Sequence, residues 1–210
     1  MRYRSLFPPM PSVLAEGQHG TARIEHFTVD ETAARFSALR GSRDFVDPGR
    51  YARLYVNNTL MMSDTPYERR TNAEIVRVAT GRVLVAGYGL GMILTALAKK
   101  PDVREIVVVE KHPDVVALVH PQICRYVGAR AARKITVVEG DIYDAKAAVV
   151  GKFDALWFDI WAEMSTDQLA EMTRLGRMYR GTRASVASFV GFWDREWLRY
   201  RRTQERRAGW

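Results

Sequence analysis

From Arg82 to Val190 the chain alternates short, β-branched apolar runs with segments of helical spacing, and few folds accept that order. RVLVAG, EIVVVE, KITVVEG, ALWFDI and ASVASFV are nearly continuous apolar stretches, as expected of strands covered on both faces. Between them lie ILTALAKK, PDVVALVHPQI, YDAKAAVV and TDQLAEMTRLGRMYR, each of which predicts a helix. The alternation implies an α/β fold, a doubly wound and mostly parallel sheet with right-handed crossovers. Ligands of such sheets bind beyond the carboxyl ends of the strands, near the reversal of strand order. Functional residues are therefore sought just after each strand.

The flanks read differently. Before Thr21, five Pro and Gly residues (Pro8, Pro9, Pro11, Gly17 and Gly20) predict an irregular arm. TARIEHFTV alternates as a strand does, and in DETAARFSALR Asp30 is a plausible helix cap, with Ala34, Phe36 and Leu39 on one face. RLYVNNTLMM predicts a hairpin turning at Asn57-Asn58, because Asn tolerates the positive φ that a two-residue turn demands. TPYERRTNAEIVRVA predicts a helix leading into the first core strand. At the other end, FWDREWLRYRRTQERR spaces Phe192, Trp193, Glu196, Trp197 and Tyr200 so that the aromatics share a helical stripe docking on the sheet. The expected organisation is an arm with a small β-rich region over 1–64, a cofactor-binding core over 65–190 and a basic helix over 191–210.

Each strand end carries a candidate. GYGLGM places Gly87, Gly89 and Gly91 in a turn where missing side chains let the backbone approach a ligand and a helix N-terminus face it. The third glycine comes one residue earlier than in the dinucleotide pattern G-x-G-x-x-G, with Met92 at the patterned position, which favours a ligand other than NAD. Glu110 ends the second strand roughly 20 residues on, where an acidic side chain accepts hydrogen bonds from ribose hydroxyls. Asp141, followed by Ile142, ends the third strand; its carboxylate can accept from an exocyclic adenine amine or simply cap the next helix. The fourth ends FDIWAE, presenting Asp159, Trp161 and Glu163. Asp159 beside Phe158 and Trp161 is expected to have a perturbed pKa and to hold or deprotonate an amine, or else to serve as a cap or ion-pair partner.

As a set, GYGLG, Glu110, GDI and FDIW resemble the class I S-adenosylmethionine-dependent methyltransferase superfamily, over about Thr65 to Val190. The segment MMSDTPYE before the core, the N-terminal β region and the strand ending in VVE are similar to its spermidine synthase-like branch. SDTPYERRTN and FDIWAEMSTDQLAEMTRLGRMYR also look like methyltransferase-like proteins encoded by bacteriophages. The resemblance implies a Rossmann-like fold and a cofactor site in which the glycine turn passes beneath S-adenosylmethionine. It further implies that Glu110 holds the ribose, Asp141 and Ile142 the adenine side, Asp64 or Glu68 the methionine ammonium, and that Asp159 and Trp161 face the acceptor. The chain departs from aminopropyltransferases in carrying Met61 and Met62 before the core and no Tyr-His-Glu cluster after it. It also lacks the Asp/Asn-Pro-Pro-Tyr/Phe tetrapeptide of amino-group DNA methyltransferases. Five readable core strands, fewer than the family's usual number, leave an edge that a second subunit of a homodimer can cover.

Three functions follow. The first is methyl transfer from S-adenosylmethionine to an acceptor that the sequence leaves open between a small molecule and a nucleic acid. The second is aminopropyl transfer from the decarboxylated cofactor, with Asp159 as base. The third is nucleic-acid binding or assembly on a vestigial cofactor fold. The last draws on charge: of the formal net +8, the segment from Arg174 to Trp210 holds ten Arg against three acids, 10 − 3 = +7. Such a segment suits a polyanion, or is a solvated helix face. No apolar run nears the roughly 20 residues of a membrane-spanning helix, the N-terminus lacks the pattern of a signal peptide, and the lone Cys124 forms neither an internal disulfide nor a metal site. A cytoplasmic protein is expected, in the host cytoplasm if phage-encoded, with no membrane partner and no metal.

Overall fold

A computed structural model describes residues 6–39 and 45–208. The chain opens with a 3-10 turn at Met10–Ser12, then β1 (Gly17–His19), β2 (Ala22–Val29), α1 (Glu31–Leu39), β3 (Gly49–Val56) and β4 (Thr59–Ser63). These four strands form an antiparallel sheet in the order β1-β2-β3-β4. Asn57 and Asn58 take φ of 50° and 62° in the turn between β3 and β4, the left-handed pair that matches the twist of a hairpin. Asp30 caps α1 by accepting from the Ala33 amide at 2.8 Å. Of the expected inner face of α1 only Ala34 is buried; Phe36 and Leu39 are exposed.

From residue 6 on, the arm expected to be irregular packs onto the protein and adds the short β1 before Thr21. Phe7, Met10 and Leu14 are buried in the same core as Ile24 and Leu54, so its apolar residues outweigh its turn-forming ones. Its anchor is Asp64, whose Oδ2 accepts from the Met10 amide at 2.8 Å and whose Oδ1 accepts from the Ala52 amide at 2.7 Å. Arg69 completes the staple, pairing with Asp64 at 2.7 Å and donating to the carbonyls of Phe7 and Pro8. A buried ion pair persists when its remaining hydrogen-bonding groups are satisfied, as here.

The stretch expected to be one helix before the core is two, α2 (Pro66–Thr71) and α3 (Ala73–Val78), meeting at Asn72 with φ −89° and ψ 0°. After them come β5 (Gly81–Ala86), α4 (Met92–Lys99), β6 (Val103–Glu110), α5 (Pro113–Val127), the short α6 (Ala129–Ala132) and β7 (Ile135–Glu139). The expected helix in YDAKAAVV is only a 3-10 turn at Ala145–Ala147. Asp141 draws the Tyr143 amide to its Oδ1 at 3.0 Å, and Gly151 at φ +95° ends the segment soon after. The chain closes with β8 (Ala155–Phe158), α7 (Gln168–Met178), β9 (Phe189–Phe192) and α8 (Arg195–Arg207).

The last strand lies further along than expected. Ser185 and Ser188 hydrogen-bond nearby backbone amides at 3.0–3.1 Å, a local alternative to strand pairing, and Val186 is 94% exposed. Phe189–Phe192 pair instead with β8. Phe192 thus belongs to the sheet, stacked on Phe158 at 4.9 Å, and Trp193 is buried before the helix begins. Within α8 it is Leu198 and Trp197 that face the protein, while Tyr200 is exposed.

The core sheet is parallel, five-stranded and ordered β7-β6-β5-β8-β9. This is the doubly wound α/β arrangement expected from the strand-helix alternation, and its strand order reverses between β5 and β8. One apolar layer, with α4 and α5, joins the sheet to the N-terminal region; the other holds Phe158, Leu175, Tyr179 and Leu198. Among the described residues no helix is long and apolar enough to cross a membrane.

Candidate functional site

The reversal of strand order opens a cavity of about 280 Å³ at the carboxyl edge. Its wall includes Gly87 and Gly89 after β5, Glu110 ending β6, Asp141 and Ile142 after β7, and Asp159 and Trp161 after β8. Met61 and Met62 of β4 close it from the N-terminal sheet. Four successive strand ends therefore face one space, because parallel strands point their carboxyl ends the same way.

Glu110 is almost fully buried. Its Oε2 accepts from the Tyr88 amide and its Oε1 from the His112 amide, both at 2.8 Å. A carboxylate offers about four lone-pair sites, so two remain for a ligand. Asp141 accepts from the Tyr143 amide and meets Lys111 Nζ at 2.9 Å. The Tyr143 amide, followed by Lys111, holds its carboxyl below the usual range, against the opposing effect of burial. Asp141 thus caps the short turn that follows β7, in place of the expected helix, and also lines the cavity. Ile142 supplies a buried apolar wall. Trp161, half-buried, adds an aromatic wall, its Nε1 donating to Glu171 at 2.8 Å.

The glycines have a structural reason of their own. A Cβ on Gly87, at φ +94°, would lie 2.0 Å from the Asp159 carbonyl oxygen, and one on Gly89, at φ +51°, would lie 2.2 Å from Met62 Sδ. The Leu90 amide donates to that sulfur at 3.1 Å. These contacts and the positive φ require glycine at both positions whatever binds, and both residues also line the cavity. Gly91, at φ +70°, precedes α4 and packs against Ile123, away from the cavity wall.

Two further expectations change. Asp64 is fully buried in the staple to Arg69 and does not line the cavity, so it is no partner for a ligand ammonium. Glu68 does not line it either, but stands behind Asp159 in a group of acids with Asp194. Burial pushes the Asp159 carboxyl up to about 7, partly offset by a hydrogen bond from Asn72. Burial, and then the charges of Asp159 and Asp194, push Glu68 well above the carboxylate range, with a Trp193 hydrogen bond opposing. Both shifts favour the neutral carboxyl at these two half-buried residues. Glu163, by contrast, is exposed and outside the cavity.

Sequence reasoning missed Asn72, Tyr67 and Asp194. Asn72 is fully buried. It accepts from Trp157 Nε1 and donates to the Glu68 carbonyl, both at 3.1 Å, which aims its amide at Asp159. Tyr67 donates its hydroxyl to Asp194. The available signal for Asp194 was an acid immediately before a basic helix, and for Asn72 a helix-breaking residue amid helix formers.

No protein-family model matches the sequence, and no curated protein matches it. Among solved structures, the chain is similar to a spermidine synthase from Thermotoga maritima at 12% identity and TM-score 0.48, covering 81% of this chain and 53% of that one. It is similar to an SAH-bound methyltransferase from Podospora anserina at 18% identity and TM-score 0.47, covering 62% and 53%. An O-methyltransferase from Streptomyces achromogenes in complex with SAM gives 16% identity and TM-score 0.42, covering 56% and 52%. The matched part thus spans about half the length of each of these proteins.

Proposed function

We propose that the chain is an S-adenosylmethionine-dependent methyltransferase. The observation that carries this reading is the convergence of the glycine turn, Glu110, Asp141 and Asp159 on one cavity at the reversal of strand order. Glu110 fits a ribose diol, since its two backbone bonds fix the carboxylate and leave acceptor sites. Asp141 beside Ile142 fits an adenine, an apolar ring with one polar edge. Met62 lies across the glycine turn, and its unbranched side chain can turn aside for a ligand.

Such a cofactor supplies an activated methyl group, and the protein's part is to align the acceptor and exclude water. Asp159 is placed for the acceptor side. It abuts the glycine turn through its carbonyl, lies on the cavity wall, and holds a carboxyl that titrates near neutrality. A group with that pKa exchanges a proton efficiently at physiological pH.

A second reading, aminopropyl transfer from the decarboxylated cofactor to an amine, is favoured by the acids behind Asp159. A bound cation would offset the mutual repulsion of Asp159, Glu68 and Asp194 that helps push Glu68 upward. Calorimetric titration separates the readings. Methyl transfer predicts tighter binding of S-adenosylmethionine than of its decarboxylated form, aminopropyl transfer the reverse, and tighter binding of NAD than of either would overturn both.

A further inference from the structure

Helix α8 turns one side to the protein and leaves the other bare. Leu198 is buried, Trp197 packs on the second apolar layer, and Arg201 lies over the Trp197 ring at 5.3 Å while pairing with Glu205 at 3.2 Å. Positions 197, 198, 201 and 205 therefore share the inner side. Arg195, Arg199, Arg202 and Arg206 recur at i, i+4, i+7 and i+11. At 3.6 residues per turn they form one stripe, roughly 16 Å long, half-buried at Arg195 and exposed at Arg199, Arg202 and Arg206.

The stripe is poorly neutralised. Arg199 meets Glu196 at 2.8 Å, but among the described residues no acid pairs with Arg202 or Arg206. Arg195 lies over the Phe192 ring at 4.7 Å, and its buried Nε has no hydrogen-bond partner. Like charges at i, i+4 destabilise a helix, and cations near its N-terminus oppose the helix dipole. An anion along the stripe relieves both.

Helix α8 is also tied to elements around the candidate site. Asp194, the residue before α8, accepts from Tyr67, and Glu205 accepts from the Thr166 hydroxyl at 3.1 Å on the loop that follows β8 and carries Trp161. We propose that the outer face of α8 is a docking surface for the phosphate backbone of nucleic acid. Guanidinium forks match phosphate oxygens, and the exposed ring of Tyr200 on the flank offers a stacking face for a base. A membrane surface is disfavoured, because an interfacial helix needs its apolar side for the bilayer, and here that side is turned into the protein. The proposal stands whether or not the chain transfers a group.

The test is fluorescence anisotropy with a labelled single-stranded oligonucleotide at roughly 50 and 200 mM salt. Wild type should bind with strong salt dependence. The triple variant Arg199→Gln, Arg202→Gln, Arg206→Gln should lose about tenfold or more, with a salt slope lower by roughly 2, since each single-strand contact contributes about 0.7. Arg125→Gln, Arg130→Gln, Arg133→Gln removes equal charge from exposed positions on α5 and beyond and should keep the slope. Replacing the three stripe residues by Lys should keep most of it, and provides the comparison should the Gln variant fail to fold. Cofactor affinity, read by calorimetry, should be unchanged in every variant, which separates a failure here from a failure of the transferase reading. No binding by wild type, equal loss in the α5 control, or competition by polyglutamate as effective as by unlabelled oligonucleotide would overturn the proposal.

Discussion

Acids stand on two sides of the cavity, Glu110 and Asp141 in its wall on one and Asp159 on the other with Glu68 and Asp194 behind it, and their surroundings differ. On the β6–β7 side, Glu110 and Asp141 accept from backbone amides at 2.8–3.0 Å, and Lys111 stands beside Asp141. On the β8–β9 side, Asp159 and Glu68 are half-buried, Glu68 in the field of Asp194, and both are pushed upward. At Asp141 the Tyr143 amide and Lys111 favour the charged form, while at Asp159 and Glu68 loss of solvent, and for Glu68 the neighbouring carboxylates, favour the neutral one. Fixed acceptors suit a neutral polar ligand such as a nucleoside. A carboxyl near 7 suits proton exchange with an acceptor.

If that division holds, the largest effect comes from Asp159→Asn. Turnover should fall by about 10²-fold or more, the scale of a positioned acid-base group. The wild-type rate should rise with pH through about 7 as Asp159 loses its proton. A pH-rate profile of methyl transfer to a panel of amines and nucleic acids checks both, and a mutant with full turnover breaks the comparison on its β8 side.

Next in size is Glu110→Ala. It should weaken cofactor binding by about 1.5–3 kcal/mol, the worth of hydrogen bonds to a charged acceptor, with turnover at saturating cofactor less affected. Cofactor dependence of the rate supplies the measurement, and equal affinity of mutant and wild type removes the ribose assignment.

The third effect is on stability. Asp159 has a folded-state pKa of about 7 against 3.8, so between about pH 4 and 7 the unfolded chain binds fewer protons than the folded one. Its contribution to stability is therefore fully present below pH 4 and is lost as pH rises through 7. Asp159→Asn should melt a few degrees above wild type at pH 8 and lose that advantage at pH 4, as thermal denaturation at the two values will show. Asp141→Asn should have the smallest effect, about 1 kcal/mol on cofactor affinity, the worth of one net hydrogen bond, and calorimetry resolves it.

How much of this was legible in the sequence depended on what each residue answers to. The β5, β6 and β8 runs are apolar on both faces and flanked by helices of clear period, so their carboxyl ends, and with them Gly87, Glu110 and Asp159, could be located from pattern alone. ASVASFV misled because serines hydrogen-bond locally, and YDAKAAVV because so short an apolar segment permits one turn as readily as a helix. Asp64 and Glu68 stand four residues apart in one acidic stretch, yet one is consumed by Arg69 and the other lies behind Asp159. That outcome turns on contacts with residues 7–10 and 193–194, which no local pattern encodes. Met62 filling the space beside Gly89 is legible only in three dimensions.

The central claim is that Glu110 binds the cofactor while Asp159 serves the acceptor. Calorimetric titration of S-adenosylhomocysteine into Glu110→Ala and Asp159→Asn, side by side with wild type, tests it most directly. The account predicts binding weakened about tenfold or more in Glu110→Ala, in line with its 1.5–3 kcal/mol, and within a few fold of wild type in Asp159→Asn. Loss of binding in Asp159→Asn with Glu110→Ala unchanged would contradict it, assigning the β8 carboxylate to the cofactor's ammonium.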